Sequence, residues 1–578
     1  MLRVLCLAIL CSIAAGSAAA EEAHLALPTP KGFLKTFNAD AEARQLLAEF
    51  LASLDPETRT TIMQLVEQST IDGPPDLPKE QVRTFVQSTD WKKRERELLN
   101  QFVYRSQVLD LIPEAQKEFW DPIVFDALIY FLGNLPEERL FDLLWGMSRL
   151  PQDAARGEKI IALTDRIPTF QKLAQIIARN PAVPPDIRAS LQLLENSIGT
   201  MGRDELVAYI REAAGDKPIL GGDVVFGDRV LAEASIGAVI KVRGVRPGKT
   251  EPEDAAVKVI KPYALVGLPE ELAVIDSMTR YFEMHREHYG IGDIPLTSVF
   301  QDLRAALEKE ILVKQEKANL RRAADYYAAN TRVHVPWLVE SGGEKFTVME
   351  LVTGHKITDA FPGDREKRAI MARRLYDVLT HEPVFGGKGE TLFHGDPHAG
   401  NVFHVTDNSE DPYQIALLDW GLMGRFTRKQ REQLMQLFLG LEFKHRKRMR
   451  RNVVALIEEP YPEEPAKRLR LDEIFEETFA MQGTRSAYEQ VGRLIELLLR
   501  EGYKLDSQFA LFIKAQLTIV GILAELDPDL DQRSYAEKKV RAQVKREIPK
   551  RLLLLPGWNY HGYKSLMSNE DVKDGIFK

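Results

Sequence analysis

Residues 392–426 read LFHGDPHAGNVFHVTDNSEDPYQIALLDWGLMGRF, and the prediction for the whole chain starts from them. An apolar beginning leads into residues 394–401, and a second apolar run, residues 415–418, leads into Asp419-Trp420-Gly421. We expect two short strands, each followed by an aspartate, so that the carboxylates of Asp396 and Asp419 and the amide of Asn401 lie at the same opening of the fold. Such hard oxygen ligands bind Mg²⁺, whose charge offsets that of a polyphosphate. The alternative is a loop in which Asp and Asn side chains cap turns.

Protein kinases use the same arrangement of polar residues. Their catalytic-loop Asp is followed five positions later by Asn, and the Asp of a later D-F-G binds the metal. Asp396 and Asn401 keep this spacing, and Asp419 opens a D-W-G in the place of D-F-G. Asp396 is therefore the candidate catalytic residue that orients an attacking hydroxyl or water and accepts its proton. Asn401 and Asp419 are the candidate Mg²⁺ ligands, and the predicted cofactors are ATP and Mg²⁺.

The longer string H-G-D-P-H-A-G-N at 394–401, followed by L-L-D-W-G-L-M-G-R at 417–425, resembles the AarF/UbiB family of atypical kinases. The resemblance extends in order over about residues 160–530. It implies an α+β, two-lobed protein-kinase-like fold with a helical N-terminal extension, preceded here by an additional helical N-terminal domain. It also implies an association with ubiquinone and other isoprenoid lipids, and an ATPase or small-molecule kinase rather than a broad protein kinase.

Length and composition restrict the number of domains and the classes of partner that the chain is expected to have. A chain of 578 residues with 44% hydrophobic and 28% charged residues is long enough for more than one globular domain. The net charge of -8 argues against nucleic acid as the main partner. Cys6 and Cys11 are the only cysteines, so the body of the chain has no disulfide, cysteine metal site or thiol nucleophile.

Residues 224–242 predict strand, loop and strand, with the loop where a kinase covers the nucleotide phosphates. The loop resembles the family pattern A-A-A-S-I-G-Q, so that Ala234, Ser235 and Gly237 are candidate nucleotide-binding residues. Glu233 stands for the middle Ala and Ala238 for Gln. An acid near the phosphates repels them unless it points to solvent or helps to hold a cation. Nucleotide binding without turnover is therefore one alternative function.

A third strand, residues 255–262, matches the V-A-I-K pattern of kinases and makes Lys258 the candidate phosphate-binding lysine. We expect Lys261 to end the strand. Because unpaired burial of a charge is costly, Lys258 needs an acidic partner on the predicted helix 299–327. The family pattern E-x-D-x-x-x-E aligns with residues 310–316, which implies that Glu316 pairs with Lys258 and that Leu312 replaces the Asp. The alternative is a solvated Glu on a charged helix.

The helix opened by Pro168 carries Lys172 and Gln175 three positions apart, on one face. It resembles the family's K-x-G-Q signature, which implies that Lys172 and Gln175 lie over the active site, with Lys172 facing Glu310. Ala174 replaces the Gly, which widens or shifts the site because only Gly lets a backbone approach a ligand so closely. The alternative is a Lys and a Gln on a solvated surface helix.

A kinase hinge is expected where strand 346–354 leaves through Gly354 into helical sequence. Backbone groups from Glu350 to Val352 are the candidate adenine contacts, by their place in the order of elements. The predicted segments are 1–20, a signal or anchor; 21–156, a helical accessory domain; 157–215, the helical extension packing over the active site; 216–353, the N-lobe; 354–548, the C-lobe; and 549–578, a C-terminal tail.

Three features bear on location and partners. Residues 1–20 predict a cleaved secretory signal, and the alternatives are an uncleaved anchor or an organelle-targeting segment. The protein is therefore expected to be exported to the periplasm or to be membrane-associated. A location in an organelle or on the cytoplasmic face is left open. The basic runs 444–451 and 538–551 suit acidic lipid heads at a membrane surface or, alternatively, solvated or docked helix faces. No C-terminal membrane-spanning helix is expected. The predicted partners are thus a nucleotide and an isoprenoid or acidic lipid, and an exported lipid-binding protein without nucleotide is the remaining alternative function.

Overall fold

A computed structural model describes most of the chain from residue 95 onward. The described residues are 95–112, 114–148, 154–178, 201–233, 236–292, 312–339, 345–386, 389–442, 444–454, 456–457, 462–481 and 487–553, with single positions 79, 80, 83, 150, 297, 300, 301, 304, 307, 308, 566, 567 and 569. The predicted signal or anchor segment 1–20 lies outside them.

Helices and strands alternate in the middle of the chain, and helices dominate both ends of its described part. The helices are α1 Glu95–Ser106, α2 Lys117–Gly133, α3 Glu137–Ser148, α4 Arg156–Thr164, α5 Pro168–Ala178, α6 Arg203–Ala214, α7 Pro262–Met284, α8 Val313–Tyr327, α9 Arg365–Tyr376, α10 Glu382–Phe385, α11 Arg428–Glu442, α12 Arg446–Val453, α13 Pro465–Phe479, α14 Ala487–Arg500, α15 Ser507–Leu526 and α16 Gln532–Leu553. The strands are β1 Gly221–Glu233, β2 Gly237–Val245, β3 Pro252–Ile260, β4 Val333–His334, β5 Leu338–Val339, β6 Phe346–Glu350, β7 Gly354–Lys356, β8 Thr391–His394, β9 Val402–Val405, β10 Ile415–Leu417 and β11 Met423–Phe426. This mixture of helix and sheet confirms the α+β class.

The chain forms two compact units. The first comprises Met1–Glu212, Gly227–Ile240 and Lys258–Ile311, and the second comprises Ala213–Phe226, Lys241–Val257 and Leu312–Lys578. In the first unit, apolar side chains of α1 to α5 and α7 form one buried cluster. Phe131 and Phe170 meet inside it with ring centroids 4.6 Å apart, which ties α5 to the preceding helices.

The strands form three sheets. The five-stranded sheet has the order β1-β2-β3-β6-β5, the four-stranded sheet β4-β10-β9-β7, and the two-stranded sheet β11-β8. The predicted strands around 224–242 and 255–262 thus appear as β1, β2 and β3. The predicted strand 346–354 is shorter, because it ends at Glu350 and the chain pairs again as β7 in another sheet.

One helix differs clearly from its prediction. The helix that carries Glu316 was expected to run unbroken over 299–327; the described positions 300, 301, 304, 307 and 308 are helical, but the helix is interrupted at Leu312 and α8 begins at Val313. Leu312 precedes it with φ −84° and ψ 73°, which is not a helical conformation, and its side chain is exposed. Leu312 is therefore the N-cap of α8 rather than an interior position.

The second unit has its own apolar core, built largely from α11, α13, α14 and α15 with β8 and β11. Within the described residues, α15 is the one helix long and apolar enough to cross a membrane, by length and composition alone, and half of that window is buried in the protein. Phe512 of this helix packs against Phe393 and Phe426, with ring centroids 5.1 and 5.0 Å apart. These contacts are those of a core helix.

The two basic runs lie on helices with acidic neighbours. In the first run, Arg446 Nε lies 2.6 Å from Glu476 Oε1, and Arg450 pairs with Asp472. In the second, Lys539 Nζ lies 2.5 Å from Asp377 Oδ2. At these positions the basic side chains dock their helices on neighbouring helices of the same unit.

Candidate functional site

Glu233, the acid at the end of β1, forms an ion pair within the first unit. Its Oε1 lies 2.6 Å from Nζ of Lys261, whose side chain is fully buried, and it also accepts a hydrogen bond from the backbone N–H of Met201 at 3.3 Å. Lys261 directly follows β3 and precedes α7, as expected of the residue that ends the strand. The charge of Glu233 is thus paired with a buried lysine of the protein itself.

Lys172 lies on α5, whose beginning is fixed by a buried carboxylate. Glu271 of α7 accepts a hydrogen bond from the Thr169 backbone N–H at 2.8 Å, at the N-terminus of α5, and pairs with Arg139. A carboxylate at this position is favourable because it meets the unpaired N–H groups and positive end of the helix. Burial raises the pKa of Glu271, against the opposing effect of Arg139.

The other predicted residues of the first unit are placed as follows. Lys172 is half-buried, Ala174 is buried, and Gln175 belongs to the same helix. Lys258 is half-buried on β3, and Gly237 is buried at the start of β2. Ala234 and Ser235 lie outside the described residues, as does Glu310.

In the second unit, the two predicted aspartate-bearing strands are present but belong to different sheets. β8 pairs with β11 in antiparallel register, and β10 pairs with β9 and β4. The side chain of His394 connects them: its Nδ1 accepts the Asp396 backbone N–H at 3.1 Å, and its Nε2 lies 2.8 Å from the Leu418 carbonyl oxygen. Because Nδ1 accepts, Nε2 carries the proton and donates. Burial lowers the pKa of His394, so the neutral ring is favoured.

Asn401 closes the turn that Asp396 opens. Its Nδ2 donates to the Asp396 carbonyl oxygen at 3.1 Å, and its backbone carbonyl accepts from the Leu418 N–H at 2.8 Å. The five-residue spacing therefore has a direct structural role. With the amide nitrogen used in this way, Oδ1 is the atom of this side chain that suits a cation.

Asp419 adopts an unusual backbone conformation for a residue other than Gly. Its φ is +54°, in the left-handed region, and its Oδ1 accepts the Gly421 N–H at 3.2 Å. Asp and Asn tolerate this region better than other side chains because they bond to the local backbone in this way.

Trp420 packs the segment after Asp419 into the core. Its indole Nε1 donates to the Leu417 carbonyl at 3.0 Å, and its ring lies 4.8 Å from that of His394. Its backbone carbonyl accepts from Nδ2 of buried Asn319 on α8 at 2.8 Å. Glu316, also buried, lies on α8 one turn before Asn319.

The Asp396 carboxylate faces two nitrogen-bearing side chains. Lys514 Nζ of α15 lies 3.6 Å from Oδ1, and His398 Nε2 lies 4.0 Å from Oδ2. No sequence signal marks Lys514, because it occurs far along the chain, on a largely apolar helix with no motif of its own.

The expected hinge begins at the end of β6. The Glu350 backbone N–H donates to the Trp337 carbonyl at 3.0 Å, and its Oε2 lies 3.0 Å from His334 Nε2. This carboxylate raises the pKa of His334. Glu350 and Val352 are both half-buried.

The predicted ligands Asn401 and Asp419 carry an amide oxygen and a carboxylate, which are the kinds of oxygen that Mg²⁺ binds. Within the described part of the chain, no group of three or more His, Cys, Asp or Glu side chains forms a protein-only metal site.

Comparison with known proteins identifies related chains. Residues 194–453 match the ABC1 atypical kinase-like domain. Two curated relatives are named "Probable protein kinase UbiB". The relative from Pseudomonas putida strain F1 is 27% identical, and the alignment covers 72% of this chain and 76% of the relative. The relative from Xanthomonas campestris pv. campestris strain B100 is 24% identical, and the alignment covers 68% of this chain and 73% of the relative.

A solved structure, "The complex structure of Rv3197-erythromycin from Mycobacterium tuberculosis", is 19% identical and covers 55% of this chain and 79% of its own, with a TM-score of 0.37. A TM-score this low supports no conclusion about the present chain. The domain match and the curated relatives do: residues 194–453 match the ABC1 atypical kinase-like domain and the chain is similar to the UbiB proteins, which confirms its resemblance to the AarF/UbiB family of atypical kinases.

Proposed function

We propose that the protein binds Mg-ATP and either transfers or hydrolyses the γ-phosphate. The observation that carries this proposal is the hydrogen-bonded turn that joins Asp396, Asn401 and the strand before Asp419. A loop in which Asp and Asn side chains only cap turns needs no such connection between two sheets. A phosphotransfer site needs its base and its metal ligands held in fixed relative positions, because catalysis there comes mainly from positioning and charge neutralisation.

Each side chain has a distinct proposed role. Asp396 orients the attacking hydroxyl or water and accepts its proton. Asn401 and Asp419 hold Mg²⁺, which when bound neutralises phosphate charge. Lys258 binds the α- and β-phosphates, and Glu316 supports that lysine. For Lys172, Gln175, Ala234, Ser235, Gly237, Glu350 and Val352 the nucleotide-contacting roles stated above stay predictions.

The acceptor is proposed to be a lipid or small molecule of the ubiquinone and isoprenoid-lipid type rather than a general protein substrate. This proposal rests on the family resemblance. An exported lipid-binding protein remains the alternative that the signal-like residues 1–20 motivate, and these residues lie outside the described part of the chain.

The first test is thermal unfolding of the chain from residue 21 with and without millimolar Mg-ATP. A ligand at about a hundredfold its dissociation constant stabilises a protein by about 2.7 kcal/mol. We expect a shift that requires Mg²⁺ and disappears in Asp419→Asn. Absence of any shift with nucleotide and metal would contradict the proposal and favour the lipid-binding alternative.

Nucleotide binding without turnover is the second candidate. The replacements at Ala174 and Leu312 motivate it, whereas the pairing of Glu233 with Lys261 removes part of the electrostatic objection to turnover. A Mg²⁺-dependent shift without phosphate release would identify this candidate.

A further inference from the structure

The phosphotransfer loop lacks a positive charge of its own. Residues 394–401 contain no lysine or arginine, whereas the kinase loop H-R-D carries an Arg immediately before the Asp. The lysine ammonium that faces Asp396 here comes from α15, with Lys514 Nζ 3.6 Å from Oδ1.

Helix α15 is held firmly against the loop, which sets the position of Lys514. Gln508 in its first turn accepts the Arg425 backbone N–H of β11 at 2.9 Å. Leu511 lies so close to Gly395 that an added Cβ there would be 3.1 Å from its Cδ1. Asp506 caps the helix by accepting the N–H groups of Gln508 and Phe509.

Lys514 lies on the exposed face of its helix, together with Leu517. Its neighbours in sequence, Ile513 and Ala515, are buried in the core, while its own side chain is 52% exposed and directed towards the partly buried Asp396. Beyond this pair, the other oxygen of Asp396 faces His398 across 4.0 Å. The two carboxylate oxygens are thus in different environments.

We propose that Lys514 is a positioning residue for Asp396: it holds Oδ1 and leaves Oδ2 to accept the proton from the attacking group. This inference rests on the proposed function. In the reaction, the acceptor oxygen forms a bond to the γ-phosphorus, the bond from that phosphorus to the β-phosphate oxygen breaks with its electrons leaving on ADP, and the acceptor proton passes to Asp396. Lys514 offsets negative charge beside the transferring group.

The test compares Lys514→Met, Lys514→Arg, Asp396→Asn and the double variant Asp396→Asn/Lys514→Met. Lys504→Met is the matched control, because Lys504 is exposed in the segment just before α15 and has no proposed role. The measurements are Mg-ATP affinity by calorimetry, phosphate release and thermal unfolding. Removing one preorganised electrostatic contact lowers kcat by about 100-fold or more, whereas an exposed ion pair without a catalytic role changes an equilibrium by less than about fivefold.

We expect Lys514→Met to lower kcat by about 100-fold with little change in KM, Lys514→Arg to recover most of the loss, and Lys514→Met to have no further effect in the Asp396→Asn background. If the protein binds Mg-ATP without turnover, Lys514→Met weakens binding and Asp396→Asn tightens it, with the same non-additivity. Equal effects of Lys514→Met and Lys504→Met, or additive effects with Asp396→Asn, would overturn the inference alone. Absence of Mg-ATP binding by the unsubstituted chain would instead refute the proposed function and, with it, the inference.

Discussion

Lys261 and Glu233 form a buried ion pair in the first unit, with Nζ 2.6 Å from Oε1 and the lysine side chain fully buried. The pair joins the end of β1, immediately before the Ala-rich loop, to the start of α7. Burial lowers the pKa of Lys261, and the hydrogen bond and charge of Glu233 oppose that effect. The acid that replaces an Ala of the family pattern is therefore structurally matched by a second charged residue.

We expect Lys261→Met to destabilise the fold by about 3–5 kcal/mol, because removing one partner leaves the other charge buried and uncompensated. The double variant Lys261→Met/Glu233→Gln should recover part of this loss. Chemical denaturation measures both. Lys241→Met is the control, since Lys241 forms a partly exposed pair with Asp254 and its loss should cost no more than about 1 kcal/mol. Similar losses in Lys261→Met and Lys241→Met would contradict the buried-pair interpretation.

The ion pair between Arg139 and Glu271 should stabilise the fold as much as the Lys261–Glu233 pair does, because it positions α5, the helix that carries Lys172. Glu271 is fully buried and also bonds the N-terminus of α5, so Arg139→Met should destabilise the fold by about 3–5 kcal/mol. Urea unfolding compares it with Arg243→Met, which removes an exposed partner of Asp254. If both arginine variants unfold at the same urea concentration, Arg139 does not hold α5 in place.

Two substitutions at Asp419 distinguish the energetic cost of its backbone conformation from its proposed role as a metal ligand. Asn tolerates the left-handed conformation and keeps an oxygen for the Gly421 N–H, so Asp419→Asn should change the unfolding free energy by less than about 0.5 kcal/mol. Asp419→Ala lacks that oxygen and should lose about 1–2 kcal/mol. Both variants should lose Mg-ATP stabilisation, measured by thermal unfolding. Retained Mg²⁺-dependent stabilisation in either variant would exclude Asp419 as a metal ligand.

His381 should make the protein sensitive to acid. Burial lowers the pKa of His381 from 6.5 to about 4, so the folded chain keeps a neutral ring while the unfolded chain takes up a proton near pH 6.5. Its contribution to stability is therefore fully present above pH 6.5 and falls progressively between pH 6.5 and about 4.

The difference between the unsubstituted chain and His381→Gln should follow that window. Denaturation series from pH 7.5 down to about 4 measure it, with His288→Gln as the exposed control. A difference that stays constant across the window would show that His381 titrates alike in the folded and unfolded chains.

The sequence by itself determined the local elements and the chemistry that they carry. Alternating and continuous apolar runs located β1 to β3, β8 and β10, because side-chain facing follows directly from the pleat of a strand. The five-residue interval from Asp396 to Asn401 matched the spacing of a kinase catalytic loop, and in the structure the amide of Asn401 bonds the carbonyl of Asp396. Such relations depend only on neighbouring backbone dihedrals, which the residues themselves restrict.

Only the tertiary structure decided which distant side chains meet. Periodicity cannot tell which of many lysines faces a given acid, so it did not reveal Lys514 beside Asp396 or Lys261 beside Glu233. It also did not show that β8 and β10 lie in different sheets joined through His394. The break within the predicted helix 299–327 shows the same limit: the helix pattern continues in the sequence, but Leu312 has a non-helical backbone and α8 begins after it. These partners are selected by packing across the whole unit, where long-range contacts compete and local sequence carries no record of the outcome.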